Sequence, residues 1–76
     1  MNYKKYINMI LLKLSNKYQF SLIEIKTYKH KKKYNLIRLT IYKYIINENG
    51  EEDKEEYNII ETKTERELLL KLKEMI

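Results

Sequence analysis

The chain has no cysteine, no proline and no tryptophan, and one glycine and one histidine in 76 residues. Without cysteine there are no disulfides and no thiolate metal sites. That usage fits a reducing compartment such as the cytoplasm. One glycine cannot build a loop that cradles phosphates. One histidine, His30, lying in a lysine-rich segment, leaves no Ser-His-Asp or Cys-His set with a free base, so the inventory argues against an enzyme. Long apolar runs are missing too. The longest, Met9-Ile10-Leu11-Leu12, falls far short of the roughly 20 residues a bilayer requires.

Acidic residues are nearly absent from the first part of the chain. Residues 1–47 hold eleven Lys/Arg against Glu24 alone, a balance of +10, and residues 48–76 hold five against ten acids, a balance of −5. The net charge of +5 therefore conceals a sharp division, which speaks to surfaces and partners rather than to fold. Lys, Ile, Asn, Tyr and Glu crowd the sequence, as an AT-rich genome tends to produce, so the lysine and tyrosine excess reads either as codon bias or as function.

At this length the chain reads as one domain, residues 1–76. A domain so small buries only about 60% of its unfolded surface, and small domains often lean on a partner. The opening MNYKKYINMILLKLSN sets lysines before apolar residues, as a signal peptide does. Lys13 interrupts the apolar part and no small-residue cleavage site follows, so the segment reads as a helix of the mature protein.

Tyr3, Tyr6, Ile7, Ile10, Leu11 and Leu14 recur at helical spacing, with Asn2 as N-cap and Ser15-Asn16 as the end. Residues 18–28 and 34–46 are rich in β-branched and aromatic residues and read as strands. In the second, Ile37, Leu39, Ile41 and Ile45 share one face, and Tyr34, Arg38, Thr40, Tyr42 and Tyr44 share the other. Asn49-Gly50 signals a hairpin, with a type I′ turn as the expected form. A third strand falls within 53–62. Its register stays open between Tyr42 beside Tyr57 with Leu39 beside Ile60, and a one-residue slip placing Ile41 beside Ile59. Thr64 and Glu67 form a capping box for a last helix whose stripe is Leu68, Leu69, Leu72, Met75 and Ile76. The expected fold is α+β, in the order α-β-β-β-α. It has a three-stranded antiparallel sheet with both helices on one face and the other face open to solvent.

Four groups of residues bear on binding. The basic hairpin Lys26, Lys29, His30, Lys31, Lys32 and Lys33 would neutralise phosphates of RNA or DNA; its bland reading is a turn kept soluble by lysine. Tyr34, Arg38, Tyr42 and Tyr44 would present interface anchors on an open sheet face, or reflect no more than β-propensity. The acidic run, with Glu48, Glu51, Glu52, Asp53, Glu55 and Glu56, lacks the ligand spacing of a calcium loop and reads as a solvated hairpin tip that discourages edge pairing. Met9, Leu12 and Leu70 fall off the helical stripes. They either widen the core or mark a homodimer contact.

Two resemblances add to this. The element order, the length and His30 in YKHKKKY resemble the double-stranded RNA-binding domain, where a histidine in the loop between the first two strands enters the minor groove. That family's second contact is a lysine-rich start to the last helix; here the segment reads TKTEREL, where Lys63 and Arg66 alternate with Glu65 and Glu67, and the family's glycines are missing. The opening MNYKKYINMILLKL, the acidic ENGEEDKEE and the AT-biased composition resemble small phage and archaeal-virus proteins, among them anti-CRISPR proteins. That resemblance implies stoichiometric docking, in the host cytoplasm, on a host protein or nucleoprotein complex of nucleic-acid-dependent defence. The residue inventory and the short apolar runs add the expectation of no catalysis, cofactor, metal or membrane. The alternative is a nucleic-acid-binding regulator that uses the basic 26–33 hairpin.

Overall fold

A computed structural model describes residues 2–75. Helix α1 spans Tyr3–Leu14, and the Asn2 side chain accepts a hydrogen bond from the Lys5 amide, so Asn2 is its N-cap. Strands β1 (Tyr18–Lys29), β2 (Lys32–Ile46) and β3 (Glu52–Thr62) follow, and helix α2 (Glu65–Lys73) closes the order. The Thr64 hydroxyl accepts from the Glu67 amide at 3.2 Å, which is one half of the capping box. Ile76 of the α2 stripe lies outside the described residues.

The three strands form an antiparallel meander in the order β1-β2-β3. Ile37, Leu39 and Ile41 of β2 are buried in one cluster with Ile7 of α1 and Leu68, Leu69 and Leu72 of α2. Residues of one strand face alternate, so both helices sit on the face of these odd-numbered β2 residues. Phe20 pairs with Ile41, and Leu39 with both Leu22 and Ile60. The α-β-β-β-α order and the α+β class follow the sequence pattern directly.

The third strand follows the first of the two open registers up to Ile41, not the slip that sets Ile41 beside Ile59, and leaves both beyond it. Leu39 pairs with Ile60 and Ile41 with Asn58, but Tyr42 pairs with Glu56. Tyr57 is therefore an extra residue, a β-bulge. The bulge turns its ring onto the helix side, where it stacks on Tyr18 with centroids 5.5 Å apart.

The turn types also correct the sequence expectation. At the β2–β3 connection Asn47 and Glu51 close a three-residue loop. Gly50, at φ 77°, holds positive φ there and Asn49 does not. This is a β-turn over Asn47–Gly50 that ends on a left-handed glycine, not a type I′ turn. The cause is local: the Asn47 side chain accepts from the amides of Asn49 and Glu51 and fixes the three-residue form. Positive φ at two successive residues occurs instead at His30 (51°) and Lys31 (63°), which alone connect β1 to β2. Most of YKHKKKY therefore belongs to strands.

Candidate binding face

β2 is the central strand and runs from the basic turn to the acidic turn, so its even-numbered residues define the face away from the helices. Tyr34, Leu36, Arg38, Thr40 and Tyr42 lie along it. β1 adds Ile23 opposite Arg38 and Ile25 opposite Leu36; β3 adds Glu61 opposite Arg38 and Ile59 opposite Thr40. No described helix covers this surface. Ile23 and Ile59 are 45% and 44% exposed. The result is an apolar floor of Ile23, Ile25, Leu36 and Ile59 around one charged pair.

Each anchor is held by a neighbour on or just past β3. Arg38 Nε donates to Glu61 Oε1 at 2.8 Å. The Lys54 ammonium lies 4.6 Å from the Tyr42 ring centre, and that of Lys63 lies 5.8 Å from the Tyr34 ring centre. A cation over an aromatic face is attracted by the ring quadrupole. These contacts restrict the rings and the guanidinium, and such restriction lowers the entropy cost of any docking on a surface.

Tyr44 behaves differently from the other three. β1 begins at Tyr18, opposite Lys43, so Tyr44 lies beyond the end of β1. Its hydroxyl reaches to within 3.5 Å of the Ser15 carbonyl at the end of α1, and its ring lines a shallow hollow with Asn16, Ile45 and Glu52. The structure thus gathers Tyr34, Arg38 and Tyr42 on the open face and sets Tyr44 at its margin. Ile23, Ile25, Leu36 and Ile59 are members that the charge and tyrosine pattern did not single out. A signal for them existed in β1, where SLIEI carries apolar residues on both faces.

The basic residues wrap the far end of the β1–β2 hairpin. His30 and Lys31 form its apex. Lys29 and Lys32 pair behind them on the open side, while Lys33, opposite Tyr28, and Lys26 fall on the helix side. All six are exposed. They form a tip with charge on every side rather than one flat patch. The acidic residues occupy the opposite end: Glu48 and Glu51 in the β2–β3 loop, and Glu52, Asp53, Glu55 and Glu56 along the start of β3. The described residues extend 49 Å by 29 Å by 16 Å, so the two poles lie well apart along the long axis. Among the described residues, no three His, Cys, Asp or Glu side chains come together as a metal site, and no helix is long and apolar enough to cross a membrane.

Compared with known families, curated proteins and solved structures, the chain matches none.

Proposed function

We propose that this chain is a non-catalytic binding protein. It docks stoichiometrically, through its open sheet face, on a protein or nucleoprotein complex that handles nucleic acid, and it inhibits that complex in the manner of phage-encoded anti-CRISPR proteins. The observation that carries this reading is the face itself: an uncovered apolar floor bounded by two tyrosines and centred on an arginine, each held in place from the β3 side. Apolar area with tyrosine and arginine anchors is the composition of an interface core.

The acidic pole supports a partner that normally meets phosphate. Four of the five residues 52–56 are carboxylates. A strand advances about 3.4 Å per residue, and one nucleic-acid strand presents a phosphate about every 3.4 Å of axis. With Lys54 among them, residues 52–56 carry a net −3, roughly 60% of the linear charge density of a nucleic-acid strand. A basic groove that tracks phosphates would accept it. The two poles orient the approach and raise the association rate more than they add affinity.

A CRISPR-interference or phage-protection assay tests the reading. Tyr34→Ala with Tyr42→Ala removes both rings from the open face and none from the core, so the circular dichroism spectrum stays that of the wild type while inhibition is lost. The rival variant is Lys31→Ala, Lys32→Ala and Lys33→Ala together. Lysine is a point charge without arginine's bidentate fork, so phosphate binding by this tip carries little sequence selectivity. A fully active tyrosine variant beside a dead lysine variant would overturn protein docking and put the nucleic-acid reading in its place.

A further inference from the structure

The two edges of the sheet are unlike. The β3 edge reads EDKEEYNIIET, with five carboxylates and the bulge at Tyr57. Charge and bulges both discourage pairing with another strand. The β1 edge reads YQFSLIEIKTYK, with Glu24 as its one carboxylate. It is twelve residues long and carries three exposed large apolar side chains, Leu22 (38%), Ile23 (45%) and Tyr28 (73%). Among the described residues no further strand pairs with this edge and no bulge interrupts its ladder; Glu24, Lys26 and Lys29 are its charges.

The direction of its free backbone groups follows from the turn. A two-residue loop closes on a hydrogen-bonded pair, here Lys29 with Lys32, and such pairs alternate along an antiparallel ladder. Thr27, Ile25, Ile23 and Ser21 therefore bond to β2. Tyr28, Lys26, Glu24 and Leu22 aim their amides and carbonyls out of the sheet.

We propose that β1 pairs antiparallel with β1 of a second copy, about a two-fold axis at Ile25. This register sets Glu24 opposite Lys26 of the second copy, twice by symmetry. It also sets Leu22 opposite the second copy's Tyr28, so the exposed side chains on the helix side cover one another. On the open side Ile25 meets its own copy and Ile23 meets Thr27. Moving the axis by one residue puts Glu24 opposite Glu24, or Lys26 opposite Lys26, and like charges directly opposite are destabilising. The pairing also lays the molecules head to tail. The basic apex at residue 30 of one copy falls level with Phe20 of the other, at the end that carries the acidic loop. The product is a six-stranded sheet with both acidic β3 edges outermost and no β1 edge left free.

The test is sedimentation of the full chain across the micromolar to submillimolar range. The wild type is expected at twice its 9.5 kDa mass at high concentration. Glu24→Lys places lysine opposite lysine at both symmetric positions and should weaken the dimer by roughly tenfold or more. Glu24→Lys combined with Lys26→Glu restores opposite charges and should restore the dimer, which separates lost pairing from lost folding. A wild type that stays at 9.5 kDa overturns the proposal. So does a Glu24→Lys dimer as tight as wild type, or a charge-swapped variant that stays weak. None of these outcomes depends on inhibition in a CRISPR assay, so dimerisation and docking stand or fall separately.

Discussion

Replacing Lys31 by glycine should stabilise this protein, although it removes a side chain and adds none. Lys31 sits at φ 63° in a two-residue loop, next to His30 at 51°. In the left-handed region Cβ crowds the following carbonyl oxygen, at roughly 1–2 kcal/mol for a residue other than glycine. Glycine escapes that cost but brings more freedom to the unfolded chain, worth about 0.5–1 kcal/mol in the other direction. The difference favours Lys31→Gly by about 0.5–1 kcal/mol. For a domain of this size that raises the melting temperature by about 2–8 °C. His30→Asn should act in the same sense by a smaller amount, since asparagine tolerates this conformation better than most residues. The other turn supplies the opposite sign. Gly50 has φ 77° and open space where a Cβ would stand. Gly50→Ala therefore meets no neighbouring atom and isolates the backbone term, and it should destabilise by a similar amount. Thermal melts followed by circular dichroism read both changes. A Lys31→Gly variant that melts below wild type, or a Gly50→Ala variant that melts above it, refutes the reasoning about both turns.

Leu39 and Leu72 are fully buried where β2 meets the helices, so Leu39→Ala or Leu72→Ala should cost about 2–5 kcal/mol. In a marginal domain that removes most of the stability, and urea titration should show the transition shifted to very low denaturant or absent. Thr64→Ala deletes the hydroxyl that accepts from the Glu67 amide; the expected loss is about 1 kcal/mol, read as a lower urea midpoint with the slope unchanged. Glu61→Ala breaks the pair with Arg38, but both side chains are more than a third exposed, so the loss should stay below about 1 kcal/mol and fade as salt is raised.

The helices were legible because their signals are local. Helical spacing named the stripes, and Asn2 and Thr64 both cap where side-chain chemistry put them. The faces of β2 were legible for a similar reason: Ile37, Leu39 and Ile41 alternate cleanly with Arg38 and Thr40. The turns were harder. Asn-Gly permits positive φ at both residues, but an asparagine two positions earlier competes for the same amides and wins. The residues that do adopt positive φ are a histidine, which carries a weaker signal than Asn-Gly, and a lysine, which carries none. Register was hidden by Tyr57, because a bulge lets Leu39 keep one pairing while Tyr42 takes another. The apolar floor was half hidden as well. Ile23, Ile25 and Ile59 lie on strands with apolar or charged residues on both faces, and only pairing against β2 shows which side each one takes.

The division of charge along the sequence acquires its meaning from the meander. A basic first half and an acidic second half would mingle in a fold whose halves interleave. Here the basic cluster centres on one turn and the acidic cluster on the other, and β2, the longest strand, holds them at opposite ends. The sequence division becomes a gradient between two charged turns, with Lys43 opposite Glu55 at the acidic end and a largely apolar floor around the Arg38–Glu61 pair between them. The acidic end argues against the whole molecule lying along a polyanion, because it is repelled as the basic end is drawn in. Two kinds of surface suit both poles at once: one with a complementary pair of charges, or a second copy turned end for end. The open face fits the first and the unpaired β1 edge fits the second. The two surfaces meet only along the Ile23–Ile25 side of the sheet, so pairing through β1 would widen the apolar floor without covering it.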